Sequence, residues 1–311
     1  MRVSFIVPVF NTGPYLREAI DSIHANASPA TTIEILLVDD GSTDEETLEL
    51  LRQASIEPGV RVLTLLCNRG PSAARNAGIR AAQGEWIAFL DADDLLAPGA
   101  LQARLAVIDA QPQARWIMGT LLVMTAPGQN QSGYFPDLAA FGTAILPGVL
   151  AIRDPARMLL ARFKIPQVGT AMLRRDLVEQ IGGFNESLKY WEDWYFWLRA
   201  ACHADLLWIE QPLLHLRRYH TSLSKNLLVA AREVPRAAQA ALRDPRFRAQ
   251  RKMLRWCLAA ELRTSAAIYL DHGKQVHAIM CALRAVAWSA TDRRSYASLF
   301  SALAWTRGPL R

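Results

Sequence analysis

Four runs of apolar, β-forming residues, Val3 to Phe10, Ile33 to Val38, Val60 to Leu66 and Trp86 to Leu90, punctuate the start of the chain, and each is nearly continuous instead of alternating. A strand with one wet face alternates apolar and polar residues, so continuous runs indicate strands covered on both faces, as in parallel sheets. The segments between them carry helical patterns. Pro14 suits a first helical turn, and Leu16, Ala19, Ile20 and Ile23 then form one stripe. Thr43 to Ala54, with Ser42 or Thr43 as cap, and Pro71 to Gln83, closed by Gly84, behave likewise. Strands alternating with helices of this length imply βαβ units with right-handed crossovers. The fold class expected is α/β, an open, mainly parallel sheet flanked by helices.

Charge is distributed unevenly. The 311 residues carry a net charge of +6, but residues 1–231 hold 20 Lys+Arg against 24 Asp+Glu, and residues 232–311 hold 15 against 5. The basicity therefore belongs to the C-terminal part, where apolar stripes at Leu254, Leu258, Leu262 and Tyr269, then Val276, Ile279, Leu283 and Val286, then Leu299 and Leu303, predict a small helical bundle. Arg248, Arg251, Lys252 and Arg255, spaced i, i+3, i+4 and i+7, would share one helix face that is either simply solvated or able to attract anionic lipid. Without interleaved aromatics or a helix-turn-helix pattern, nucleic acid is not an expected partner.

In open parallel sheets, ligands bind beyond the carboxyl ends of the strands. Here those ends carry Asn11, Asp39-Asp-Gly-Ser-Thr-Asp44, Asn68-Arg-Gly70 and Asp91-Ala-Asp-Asp94, all directed to one crevice. Asp91 and Asp93 leave a strand two residues apart and point to the same side, where two carboxylates repel unless one is protonated or a divalent cation lies between them. Oxygen ligands favour Mg2+ or Mn2+; a solvated turn capping the next helix is the other reading. Asp39 to Asp44 fits a turn and also an acceptor of hydrogen bonds from a ribose or a base. Neither a dinucleotide-binding glycine fingerprint nor a P-loop occurs.

Val3 to Asn11, Asp39 to Asp44, Asn68-Arg-Gly-Pro-Ser-Ala-Ala-Arg-Asn-Ala-Gly78 and Gly84-Glu-Trp-Ile-Ala-Phe-Leu-Asp-Ala-Asp-Asp94, in this order and spacing, resemble a family 2 glycosyltransferase with a GT-A-type nucleotide-sugar domain. The resemblance is strong over residues 1–98, returns over 167–224 and implies an inverting, metal-dependent transfer of sugar from a nucleotide-diphosphate sugar, UDP-sugar favoured, to a glycan or lipid-linked acceptor. On its motifs Pro8, Phe10 and Asn11 would line the nucleotide, Asp39 would bind the base, Arg75 would lie near the base or diphosphate, Asp91 would face ribose and metal, and Asp93 would hold the metal. The stretch Gly182 to Arg199 resembles the acceptor side, where Asp193 matches the general base, Glu192 its neighbour and Trp191 a sugar platform. The neighbouring Tyr190, Trp194, Tyr195, Phe196 and Trp197 read as core. His220 matches the family's histidine and would contact metal or diphosphate alongside Arg217 or Arg218; His215 is the weaker candidate. Thr221-Ser222 replaces the usual Pro-Gly after that histidine.

The chain divides on this reading into a catalytic domain over 1–224, with a nucleotide-binding half at 1–98 and an acceptor-side half at 99–224, and a basic helical extension over 225–311. Residues 125–148, rich in proline and glycine, read as a long irregular insertion. Cys67, Cys202, Cys257 and Cys281 form no paired spacing, no signal-peptide pattern opens the chain and no run of about 18 apolar residues occurs. These features suggest a cytoplasmic protein, with the basic helices as a contact to the inner face of the membrane. A non-catalytic nucleotide-sugar or glycan-binding protein on a decayed scaffold is the alternative, opposed by the joint presence of Asp39, Asp91, Asp93 and Asp193.

Overall fold

The computed structural model describes residues 1–29, 31–126, 129–134, 138, 140–161, 167–218 and 226–304. Two compact units emerge: one comprises 1–159, 163–187 and 196–220, the other 160–162, 188–195 and 221–311.

The first unit is built on β1 (Arg2–Val9), α1 (Tyr15–Ala25), β2 (Thr32–Asp39), α2 (Glu45–Ala54), β3 (Val60–Thr64), α3 (Pro71–Ala81) and β4 (Trp86–Phe89). It continues through β5 (Leu95–Leu96), α4 (Ala100–Ala110), β6 (Trp116–Ala126), β7 (Gln129–Tyr134), β8 (Gly142–Leu146), β9 (Val149–Ile152) and α5 (Pro155–Leu160). After them come β10 (Met172–Arg174), α6 (Arg175–Ile181), α7 (Glu192–Ala200), whose first turn groups with the second unit, and β11 (Leu206–Arg217).

One sheet runs β3-β2-β1-β4-β10-β6-β11-β9-β8, with β5 on β11 and β7 on β6. The first four strands are mutually parallel, β6 and β11 are parallel, and β10 runs antiparallel between β4 and β6. For β1, β2 and β4 the continuous apolar runs have the cause expected, whereas β3, at the sheet edge, is only partly covered and Leu66 beyond it is exposed. Phe5 and Val7 of β1 pack with Leu16, Ile20 and Ile23 of α1 on one face, each such buried side chain worth about 1.5–3 kcal/mol. On the other face α3 approaches so closely that a Cβ on Gly78 would lie 2.4 Å from Ile6 Cγ2. The aromatic residues of α7 are mostly core, as expected: Phe196 stacks on Phe184 at 4.2 Å and Trp197 on Trp116 at 5.7 Å.

Several local expectations are corrected. The described residues of 125–148 are not irregular: β7 pairs with β6, and β8 and β9 form a hairpin whose Pro147-Gly148 turn sets Gly148 at φ +68°, the conformation that favours glycine after proline in a type II turn. β11 is a single strand over Leu206–Arg217, its pairing with β6 interrupted by an irregularity between Ile209 and Leu214. Asp44, not Ser42 or Thr43, caps α2, its carboxylate accepting from Thr47 N at 2.8 Å. Gly84 does not close α3, which ends at Ala81 with Ala82 extended. It is small because a Cβ there would lie 2.5 Å from Ser4 N.

The second unit contains α8 (Leu227–Arg243), α9 (Arg251–Asp271), α10 (Gln275–Trp288) and α11 (Arg293–Ala304). Leu254, Leu258, Leu262 and Tyr269 of α9 are buried as the spacing predicts. On α10 the expected stripe is wrong. The helix buries Ala278, Cys281, Ala282 and Ala285 and turns Val276 and Leu283 to solvent; on α11 Leu303 is likewise exposed. Close helix packing selects the small side chains, and the large ones are left outside. The four-residue basic set is also broken, because α9 begins only at Arg251 and Arg248 lies in the preceding turn. Among the described residues no helix is long and apolar enough to cross a membrane.

Candidate functional site

The site lies where β2, β1 and β4 end side by side. β1 outlasts β4, their pairing stopping at Ile6 opposite Phe89 and at the bond from Leu90 N to Ile6 O. Pro8, which has no N–H to offer, therefore sits where that side of the strand has lost its partner, and its absent donor leaves nothing unpaired. Phe10 follows, exposed, and Asn11 adopts a left-handed φ of 48°, a conformation asparagine tolerates better than most residues.

Asn11 then clamps the loop after β2. Its Oδ1 accepts from Thr43 N (2.8 Å) and Asp44 N (3.2 Å), and its own backbone N–H donates to Ser42 Oγ at 3.1 Å. Asp39 accepts from Ser42 N at 2.8 Å. The two adjacent acids divide their work. Asp40 is buried and accepts from Arg69 N and Gly70 N at 2.9 and 2.7 Å, fixing the loop that leads into α3. Burial pushes its carboxyl above the usual range, opposed by those two N–H donors.

From α3, Arg75 reaches the acids after β4: its Nη2 lies 2.7 Å from Asp91 Oδ1, and its guanidinium stands 5.4 Å from the centre of the Phe184 ring. Asp93 still reaches solvent, but the protein crowding it removes enough water, and Asp91 adds enough repulsion, to raise its carboxyl above the ordinary range. Asp94 is buried and pushed well above that range by loss of water and by the charges of Asp93 and Asp91. It accepts from Arg217 N at 2.9 Å, tying the end of β11 to the acidic turn.

Arg217 is not free to reach a diphosphate. It is buried, its guanidinium donates to Asp93 O at 3.2 Å, pairs with Glu18 and lies 5.0 Å from the centre of the Tyr15 ring. Arg218 is exposed and held through its backbone, donating to Met124 O at 2.9 Å. His215 lies within β11 paired to β5 and β6, and burial lowers its pKa. His220 and Thr221-Ser222 lie outside the described residues.

Two residues without a role in the sequence reading shape this site. Asn76 accepts from Phe184 N at 2.7 Å and donates to Phe184 O and Glu186 Oε1, both at 2.9 Å, so α3 holds the ring against which Arg75 rests. Asp94 supports the acidic turn. The one available signal was their place inside the quoted motifs, since neither contact follows from spacing.

Trp191, Glu192 and Asp193 belong to the second unit. Trp191 has φ 59°, rare for a bulky residue and found mostly where a site constrains the backbone. Its ring lies 5.1 Å from that of Trp194. Asp193 Oδ1 accepts from Trp194 N at 2.6 Å, and Tyr195 OH donates to Asp244 at 2.8 Å. Glu192 opens α7, and its charge, after burial, raises the hydroxyl of Tyr190.

Residues 4–182 match the family model described as glycosyl transferase family 2. Over 200 residues the chain is 33% identical to the succinoglycan biosynthesis protein ExoO of Rhizobium meliloti, covering 64% of this chain and 55% of that protein. Over 206 residues it is 30% identical to the poly(ribitol-phosphate) beta-N-acetylglucosaminyltransferase TarS of Staphylococcus aureus, covering 66% and 33%. The chain thus spans about half, or less, of the length of these relatives. Among solved structures, S. aureus TarS 1-349 in complex with UDP-GlcNAc is similar with a TM-score of 0.66 at 21% identity, over 97% of this chain and 84% of that one. The mannosyltransferase PcManGT of Pyrobaculum calidifontis with GDP-Man and Mn2+ is similar at 0.58, over 97% and 87%. The fold is of the GT-A type, an α/β sheet flanked by helices with further helices at the C-terminal end. The chain belongs to glycosyl transferase family 2.

Proposed function

We propose that this protein is a glycosyltransferase that moves a sugar, with inversion, from a nucleotide-diphosphate sugar to a hydroxyl of a glycan or lipid-linked acceptor in polysaccharide or cell-wall polymer assembly. The observation that carries the reading is the acidic turn after β4, with Asp91 paired to the buried Arg75 and Asp93 left open beside it. A UDP-sugar is the favoured donor, supported by the UDP-GlcNAc and UDP complexes of TarS.

On this reading Pro8, Phe10 and Asn11 line the nucleotide, Asp39 receives hydrogen bonds from the base, and Arg75 orients Asp91 while placing positive charge beside the diphosphate. The donor set fits a divalent cation. Asp91 and Asp93 are hard oxygen ligands whose mutual repulsion a cation relieves, and Mn2+ accompanies the similar mannosyltransferase. Among the described residues no cluster of three or more His, Cys, Asp or Glu is arranged for a metal, so the two carboxylates would share it with phosphate oxygens and water. Such an ion supplies charge neutralisation of the departing diphosphate. Asp193 takes the proton of the acceptor hydroxyl, with Glu192 beside it in the first turn of α7 and Trp191 as the platform for a sugar ring.

Calorimetric titration of UDP-, GDP-, dTDP- and CMP-sugars with and without Mn2+ tests the donor half. One nucleotide class should bind in a metal-dependent way, and Asp93→Asn should weaken that binding at least about tenfold. Asp193→Asn should bind donor normally and lose transfer by about 10²–10⁴-fold. A protein that binds none of the four donors is not a transferase of this kind, and undiminished transfer by D193N removes Asp193 from the base role.

A further inference from the structure

The second unit sorts its arginines into two groups. Glu233 pairs with Arg232 and Arg236, Asp244 with Arg246, and Asp292 with Arg263 and Arg294. Six remain, all exposed and none in an ion pair with a described residue: Arg248 and Arg293, and the four Arg243, Arg251, Arg255 and Arg284. These four, from α8, α9 and α10, line a single concavity of about 400 Å3 whose walls are completed by Gln239, Leu242 and Trp288. Among the described residues no carboxylate lines it. Four guanidinium groups around one hollow repel one another, and an oxyanion of phosphate type relieves that repulsion while matching their planar forks.

A second cavity of about 500 Å3 shares Arg284 with this hollow, and its wall combines Leu228, Pro235, Leu262, Val276 and Met280 with Arg232, Arg236, Lys274 and His277. Exposed apolar side chains sit beside the arginines in the chain: Trp256 follows Arg255, Leu283 precedes Arg284, and Trp288 stands in the wall itself. A water-soluble polyanion has no use for that apolar surface. A phospholipid does, because its phosphate meets arginine while its glycerol and acyl carbons meet Trp, Leu and Met, the combination found in helices that lie in a membrane interface.

We propose that the groove between α8 and α10 is a docking site for the phosphate head group and upper acyl chain of an anionic membrane lipid, and that the protein attaches to anionic bilayers through it. The full-length protein is sedimented with phosphatidylcholine vesicles, alone or containing about one third phosphatidylglycerol. It should bind the anionic vesicles in a salt-sensitive way and leave the neutral ones. Each arginine removed should weaken binding about fivefold, and the variant R251A/R255A/R284A about a hundredfold. Arg294→Ala, which removes an equal charge from a pair with Asp292, should change binding less than twofold, and unchanged melting curves establish that all variants fold.

Three results overturn the proposal: no binding to anionic vesicles at low salt, equal binding to neutral ones, or losses in Arg294→Ala as large as those of a single groove arginine. A parallel arm with inorganic phosphate and soluble poly(glycerol phosphate) separates the sources of the anion. If the polymer binds through the same arginines while anionic vesicles do not, the groove reads a soluble phosphodiester and the lipid assignment falls.

Discussion

The sheet unit and the helical unit solve the packing problem in opposite ways. In the first, the largest side chains are the best buried: Trp86, Trp116, Trp197, Trp208, Phe5 and Phe89 are nearly inaccessible to solvent. In the second, alanines fill the contacts of α10, while Val276, Met280, Leu283, Phe300 and Leu303 remain exposed. A sheet face presents a broad surface about 10 Å from the layer above it, and only bulky residues fill that gap. Helices can approach to about 8 Å when small residues line the seam. Side-chain size therefore predicts burial in the sheet unit and on α9, and fails on α10 and α11.

Removing a large side chain from the sheet unit should have the largest effect. Trp197→Ala deletes the ring stacked on Trp116 at 5.7 Å and the edge contact to Phe196. We expect a loss of about 3–5 kcal/mol in urea denaturation followed by circular dichroism, since neighbours fixed on strands collapse little into the vacated space. A loss below about 1 kcal/mol would mean that this core is not tightly packed.

The same unit buries one large side chain that is not apolar. Arg104 is inaccessible to solvent, its Nη2 donates to Gly169 O at 3.1 Å, and its Nε and Nη1 are unsatisfied. Burial lowers its pKa from the ordinary guanidinium range to about 9. A base held below its unfolded value penalises folding fully below its folded pKa, and the penalty fades as pH climbs above about 9. Arg104→Met should thus stabilise the protein at neutral pH, by about 1–4 kcal/mol. The advantage of the variant should narrow between pH 8 and 10 in parallel thermal melts. A destabilised variant would show that the guanidinium has a role in holding its surroundings together.

Legibility in the sequence follows the same divide. The four parallel strands were readable because continuous apolar runs record burial within a sheet. At the site, the acids of the strand ends were readable as a cluster, because parallel topology must bring them to one edge. The division of labour within it was not. That Asp40 and Asp94 hold the backbone of distant segments while Asp91 meets Arg75 depends on which groups lie opposite, the N–H groups of Arg69 and Gly70 for Asp40 and of Arg217 for Asp94. No spacing encodes that. Hairpin β8-β9 was missed although Pro147-Gly148 marks its turn, because prolines and glycines on either side obscured the alternation. Glu34 was missed too, a buried acid that burial would raise but that Ser4, Gln83 N and Arg61 hold below the usual range.

In the helical unit the contrast sharpens at two adjacent residues, Ala282 and Leu283. Ala282 is fully buried, and Ala282→Leu must push a branched side chain into a seam sized for a methyl group, at a cost of about 1–3 kcal/mol. Leu283 is 48% exposed, and its replacement by serine removes little buried area, so stability should change by no more than about 0.5 kcal/mol. A helix packed through its bulky stripe would reverse that order, since losing a buried leucine costs about 2–5 kcal/mol while an outward alanine tolerates enlargement. Thermal melts of the two variants beside the parent decide between the packings. If Leu283→Ser is the worse of the two, the seam runs through the large residues, and the apolar surface of the arginine groove is in that case covered by the protein itself.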